Sequence, residues 1–265
     1  MSWEEAVAWL KAQPDQAELV RACFYDDPLA DAALRYSNSS EWQAVRELLP
    51  AMDGGRVLDI GAGRGITSFA LARSGWQVTA LEPDPSSTVG ANAIRALAQE
   101  SGLSIRVEEQ WGEQLPFADG TFDLLYARQV LHHARDLRQL CREAARVLKK
   151  GGAFIATREH VISRREDLPL FLANHPLHGL YGGENAYLLD EYLAAIQAAG
   201  IRLSAVLNPF QSDINLYPET KAGLKRRIAH RLGLPGPWVP EWVLSWLGRR
   251  NNAPGRLYTF VGRKE

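Results

Sequence analysis

The stretch Val57-Leu58-Asp59-Ile60-Gly61-Ala62-Gly63-Arg64-Gly65 is a short apolar run ending in a cluster of glycines, and Val78-Thr79-Ala80-Leu81-Glu82 is a second such run closed by a carboxylate. A helical segment fits between them. Strand, glycine turn, helix and strand in that order form one βαβ unit of the kind that binds a nucleoside. Glycine permits positive φ and lets a flat ligand lie against the main chain. Spacing narrows the ligand, because the dinucleotide fingerprint puts its third glycine three residues after the second; that position is Ile66 here, while glycine stands at 65. The pyrophosphate reading loses ground. Glu82 closes the second strand, where a carboxylate accepts hydrogen bonds from both ribose hydroxyls.

Outward from this unit the pattern alternates: strand 56 to 60, helix 65 to 74, strand 76 to 81, helix 86 to 101, strands 104 to 109 and 122 to 127, helix 135 to 149, strand 152 to 158. Helix 188 to 199, strand 201 to 207 and a last strand over 256 to 262 continue it. Such alternation predicts an α/β fold with a parallel sheet, right-handed crossovers, helices on both faces and ligands at the carboxyl ends of the strands. Helices over 3 to 12 and 15 to 25, and one or two over 29 to 49, precede the first strand. An excursion over 209 to 254 carries Pro209, Pro218, Pro235, Pro237, Pro240 and Pro254, a basic piece Lys221 to Arg231, and Trp238, Trp242 and Trp246 at helical spacing.

The chain has 265 residues, 46% of them hydrophobic, enough for one large domain with appendages rather than two equal ones. A net charge of −1 gives no global footprint for nucleic acid, and none is expected as a partner. Cys23 and Cys141 lack metal-ligand spacing, and Cys141 continues the apolar face of Leu137, Leu140, Ala144 and Val147. The first residues lack a basic-then-apolar leader, and no apolar run reaches membrane-spanning length, so a cytoplasmic protein without integral membrane association is expected. The basic and Trp-bearing segment 221 to 246 leaves peripheral contact with a membrane open. Its other reading is a solvated basic face on a lid whose Trp side chains pack on the domain.

Val57 to Gly65 with Glu82 resembles the cofactor motif of class I S-adenosylmethionine-dependent methyltransferases. Leu115-Pro116-Phe117, Gly120-Thr121-Phe122-Asp123, His132-His133 and Arg146 to Gly152 are similar to later motifs of the small-molecule branch. The resemblance covers roughly residues 35 to 163. It implies a Rossmann-like fold with a mostly parallel sheet and an antiparallel last strand. It also implies an N-terminal helical cap over 1–50, a methyltransferase domain over 51–208 and 255–265, and a helical lid insertion over 209–254. S-adenosyl-L-methionine is the implied cofactor, held by Asp59, Gly61, Gly63, Gly65, Glu82 and Pro83, with Asp59 orienting its methionine end. Arg128 would pass under the sulfonium. Tyr36 is either a cofactor contact or a packing residue. Relatives often carry Asp-Ala where this chain has Trp111-Gly112; Trp111 would wall the adenine, or pack on the core, and the Gly112 amide would bond a ring nitrogen.

The acceptor side is read from charged residues at the carboxyl edge of the fifth strand. Alternation puts Arg158 and His160 on one side and Glu159 on the other. His160 and His133 are the candidate bases and Glu159 a further catalytic candidate; a surface Arg–Glu pair is the bland alternative. The loop holding His175, His178, Tyr181 and Glu184 suits recognition of a polar small molecule. His175 and His178 with Glu184 or Glu159 offer a metal-ligand set, but Pro176 separates the two histidines on irregular backbone and no further clustered ligands complete a shell, so no metal is expected. The reading is methylation of a polar small molecule at oxygen, with oligomeric state open. The rivals are a nicotinamide-dependent oxidoreductase and a non-catalytic regulator that binds S-adenosylmethionine.

Overall fold

Residues Arg56–Ile60 form strand β1, buried from Val57 to Ile60. Parallel neighbours on both sides and helices on both faces leave it no solvated edge. The structure, a computed structural model, describes residues 1–51, 54–233 and 238–265; Pro235 and Pro237 lie outside the described residues. Before β1 come α1 (Trp3–Lys11), α2 (Ala17–Ala22), α3 (Leu29–Ser37) and α4 (Ser40–Arg46). After it follow α5 (Ile66–Arg73), β2 (Gln77–Leu81), α6 (Ala91–Ser101), β3 (Ile105–Glu108), β4 (Phe122–Arg128), α7 (Leu137–Val147) and β5 (Leu148–Ile162). Next are α8 (Leu168–Asn174), α9 (His178–Tyr181), β6 (Tyr187–Leu188), α10 (Leu189–Ala198) and β7 (Ile201–Leu207). The chain ends with α11 (Asp213–Leu216), α12 (Lys221–Arg231), α13 (Glu241–Arg250) and β8 (Arg256–Lys264).

The strands run in the order β3-β2-β1-β4-β5-β8-β7, with β6 beside β5. Only β8 is antiparallel to its neighbours β5 and β7. This is the mostly parallel sheet with an antiparallel last strand that the alternation and the resemblance lead one to expect. The chain leaves β1 toward β2 and returns on its other side as β4, so a crevice opens at their carboxyl ends.

The pleat of β1 splits the core in two. Leu58 and Ile60 join Leu125, Ala127 and Phe154 under α7 and α10, while Val57, Leu124, Tyr126 and Ile155 pack with Trp42 of α4 and Phe69 of α5. Helix α7 buries Leu137, Leu140, Cys141, Ala144 and Val147 on one stripe, the period expected of a surface helix. Its Arg146 bonds Glu143, Asp119 and the carbonyls of Leu115 and Phe117, which ties down the loop before β4.

Three of the boundaries that differ from the sequence expectation have a local cause in the structure. Helix α6 starts at Ala91 rather than 86, because Ser86 Oγ accepts the amides of Thr88 and Val89 in a turn of its own. Helix α7 stops at Val147, and Leu148 pairs with Phe122 as the first residue of β5. Strand β5 continues to Ile162, with a bulge between Ala156 and Glu159 opposite β8.

The expected burial of the excursion's tryptophans is a further difference. Helices α12 and α13 pack on each other through Ala229, Val239 and Leu244. Leu244 faces this contact, so Trp242, two residues away on the helix, is turned outward. Trp238 and Trp242 are 76% and 68% exposed. Among the described residues, no helix is long and apolar enough to cross a membrane.

Candidate functional site

A cavity of about 550 Å³ opens at the carboxyl ends of β1, β2 and β4. Its floor is the glycine turn. Gly61 sits at φ +60, and a Cβ there would meet Val130 Cγ2 at 2.7 Å, so only glycine closes this turn against the chain after β4. Gly63 lines the cavity and donates its amide to Glu82 Oε2 at 2.7 Å, while Glu82 Oε1 accepts the Asp84 amide at 3.0 Å. Gly65, at φ +85, caps α5 and does not line the cavity; its role is to start the helix. Burial raises the Glu82 carboxyl, and these two amides pull it back in part.

Asp59 reaches the cavity wall and accepts the Ser68 hydroxyl of α5 at 2.6 Å. Burial pushes its carboxyl up to about 7; Ser68 and Arg128 lower it and Glu82 adds to the rise. Pro83, Trp111 and Gly112 also line the cavity. Trp111 is 54% exposed and lies under the Arg135 guanidinium, 4.8 Å from its centroid, so it is a wall rather than a core residue. A Cβ at Gly112 would meet Leu140 Cδ1 at 2.5 Å, which accounts for glycine at that place.

Arg128 lines the cavity from the end of β4 and forms a bidentate pair with fully buried Glu41 at 2.6 and 3.0 Å. Tyr36 stands behind this arginine, 5.5 Å from ring centroid to guanidinium, and does not reach the cavity. The cofactor-contact reading of Tyr36 is therefore corrected to a packing one: α3 buries its ring among Phe24 and Trp42.

The bulge in β5 changes the expected alternation of Arg158, Glu159 and His160. Arg158 takes φ +59 and turns its guanidinium away from the cavity, onto the Ile214 carbonyl at 2.6 Å and within 3.7 Å of Glu41. It is a strut between β5, α11 and α4, not a substrate contact. Glu159 is fully buried and does not line the cavity either; it accepts the amides of Val130 and His132, each at 3.1 Å, and lies 2.7 Å from His132 Nδ1. His160 does line it, with Nδ1 2.8 Å from the Gly255 carbonyl. Burial, aided by His132, drops His160 to about 3, so the neutral imidazole is a weak proton acceptor. Burial likewise holds His132 well below its ordinary range.

His133, His175, Tyr181 and Glu184 line the same end, but His178 heads α9 and does not. Glu184 accepts the Tyr181 hydroxyl and stands 3.8 Å from both His133 Nε2 and His175 Nδ1. Burial raises its carboxyl, and the surrounding histidines more than offset this to hold it below the usual range. Above these groups lie Trp3 and Tyr25, with Trp3 packed on Tyr181 at 4.6 Å. None of the described residues of 209–254 lines the cavity. The cover facing the glycine turn is thus the N-terminal segment with 175–184, whereas the helical lid expected over 209–254 contributes none of its described residues to it.

Sequence reasoning passed over His132, which it paired with His133 as a motif without a role, and Arg64. Arg64 is buried between two glycines of the turn and bonds the carbonyls of Phe24 and Asp26, each at 3.1 Å, and Asp27 at 2.6 Å. An arginine inside a glycine-rich turn was the available signal for the burial, but nothing in the sequence pointed to its partners about forty residues earlier.

Known proteins are similar to this chain in sequence and fold. The family described as "Methyltransferase domain" matches residues 58–156. An uncharacterized methyltransferase, YcgJ of Bacillus subtilis, is 41% identical over 108 residues, covering 38% of this chain and 39% of that protein. A ubiquinone biosynthesis O-methyltransferase of Rhizobium leguminosarum is 30% identical over 174 residues, covering 62% of this chain and 68% of that protein. The crystal structure of YcgJ matches with a TM-score of 0.57 at 25% identity, over 85% of this chain and 98% of that one. The chain spans about two-fifths of the length of several curated relatives, 39% and 40% in two of them.

Proposed function

Given that the chain belongs to the class I S-adenosylmethionine-dependent methyltransferases, we propose that it methylates a polar small molecule at oxygen. One observation carries the reading: a single cavity runs from the glycine turn and Glu82 to a polar end made by His132, His133, His160, Tyr181 and Glu184. The turn fits the cofactor, since Gly61 and Gly63 bring bare main chain to the cavity floor and Glu82 presents a carboxylate just after β2. Bound S-adenosylmethionine supplies an electrophilic methyl group. The chain's own residues do the rest: Asp59, Gly63 and Glu82 hold the cofactor, the histidine-rich end binds and orients the acceptor, and Trp3 and Tyr25 exclude water. Orientation alone supplies about 7 to 11 kcal/mol of such a barrier. The oxygen acceptor is supported by relatives named O-methyltransferases.

Incubation with methyl-labelled donor and a panel of small hydroxylated and aminated acceptors tests it. Label released by ether cleavage from a hydroxylated product is the expected result; label on amines alone, or on nothing, overturns the oxygen reading.

The pH dependence of cofactor affinity follows from Asp59. Its carboxyl, raised by burial to about 7 in the unliganded chain, faces Ser68, Glu82 and Arg128. Folding binds a proton there between the unfolded value and about 7, so this group's contribution to stability is present at low pH and is lost as pH rises through about 7. A cationic methionine end beside Asp59 favours the ionised form, so cofactor affinity rises from pH 6 to 7 and levels off by pH 8. Calorimetry at these three pH values is expected to show a gain of about tenfold for one linked proton, and Asp59→Asn to flatten it.

A further inference from the structure

Three side chains from three elements aim their free atoms at one place at the acceptor end of the cavity. His132 follows β4, His160 lies near the end of β5, and Glu184 sits between α9 and β6. One ligand-capable atom of each lies within 4.8 Å of the other two, and all three side chains are buried.

Their hydrogen bonds decide which atoms face inward. His132 Nδ1 is 2.7 Å from Glu159 Oε2, and this carboxylate also takes one backbone amide on each oxygen, from Val130 on Oε1 and from His132 on Oε2, so Nδ1 carries the proton. Its Nε2 lone pair then faces Glu184 Oε2 at 3.7 Å. His160 Nδ1 is 2.8 Å from the Gly255 carbonyl, so it too is the protonated nitrogen and leaves Nε2 as an acceptor. The remaining Glu184 oxygen already accepts the Tyr181 hydroxyl. Three buried acceptors therefore confront one another with no proton among them, an arrangement that repels unless a cation lies between.

We propose that His132 Nε2, His160 Nε2 and Glu184 bind a divalent transition-metal ion of the Zn²⁺ class. Two imidazoles and a carboxylate are the donor set that Zn²⁺ and its neighbours take, with a further position left for water or substrate. Ligands about 2.1 Å from a tetrahedral ion lie about 3.4 Å from each other, so the trio closes onto it by small side-chain rotations. Glu159 and the Gly255 carbonyl are the outer partners that fix ring orientation in such sites. His175, whose buried Nδ1 has no hydrogen-bond partner among the described residues, stands beside the trio, 3.8 Å from Glu184 Oε1. In methyl transfer the ion would hold the acceptor hydroxyl and lower its pKa, the hydroxyl proton leaving to solvent and the oxygen taking the methyl group from the sulfonium. That role rests on the oxygen-methylation reading; the ion binding does not.

The test is titration of the full chain, freed of metal by chelator dialysis, with Co²⁺ followed by visible absorption and with Zn²⁺ by calorimetry. One equivalent per chain is expected, and both Glu184→Gln and Glu159→Gln are expected to weaken Co²⁺ binding by about tenfold or more. Circular dichroism checks that the variants are folded. The absence of saturable binding by the unaltered chain overturns the site, whatever the variants do, and so does unchanged affinity in folded Glu184→Gln. S-adenosylhomocysteine is titrated into the same samples. Its binding without cobalt removes the metal site and leaves the cofactor reading standing; cobalt binding without it does the reverse.

Discussion

Glu82→Ala is expected to weaken S-adenosylhomocysteine binding by more than about 100-fold, because hydrogen bonds to a charged group contribute roughly 1.5 to 3 kcal/mol each and a ribose offers two. The geometry adds a second cause. Glu82 Oε2 also holds the Gly63 amide at 2.7 Å, so removing the carboxylate frees the turn proposed to seat the cofactor. Glu82→Gln keeps an acceptor for the turn but turns one oxygen into a donor, so its loss should be smaller, about tenfold. Calorimetry with S-adenosylhomocysteine measures both. An alanine variant within threefold of the unaltered chain would sink the placement of the ribose at this carboxylate.

Glu41→Ala is expected to lower the melting temperature by about 10 °C, the effect on a chain of this size of losing about 3 to 5 kcal/mol when one member of a buried ion pair is removed. Glu41 is fully buried, bonds Arg128 at 2.6 and 3.0 Å and stands 3.7 Å from Arg158, so its removal leaves two guanidinium groups in the core facing each other. Glu41 more than offsets the burial that would otherwise lower Arg128. The double variant Glu41→Leu with Arg128→Met removes one charge of each sign and should melt well above Glu41→Ala, although Arg158 still limits the recovery. Scanning calorimetry decides: a single variant that melts within about 2 °C of the unaltered chain shows the pair to be idle.

How far the sequence carries depends on how local the cause is. The strand at 56 to 60, the glycine turn and Glu82 were legible because their spacing points to a βαβ unit, and alternation with right-handed crossovers implied the parallel sheet, whereas the antiparallel last strand was implied only by the resemblance. Arg158 was misplaced because strand alternation holds only without a bulge. The bulge arises from pairing with β8, about a hundred residues later in the chain. Tyr36 and Arg128 are adjacent only once α3 packs under β4, so neither predicts the other. The meeting of His132, His160 and Glu184 has no sequence spacing to betray it, since each comes from a different element. The outward turn of Trp242 is a matter of helix phase set by a neighbour, which apolar spacing alone does not supply.

Arg64 gives the turn and the cover a common fate. The guanidinium that rises from between Gly63 and Gly65 is fastened to the carbonyls of Phe24 and Asp26. The aromatic patch of Trp3, Tyr25 and Tyr181 above them belongs to a small cluster apart from the two large cores. A minor cluster opens at lower free energy than the sheet beneath it. Because one side chain spans the joint, the glycine turn and the mouth of the cavity are mechanically linked, and an opening of the aromatic cluster is felt at both.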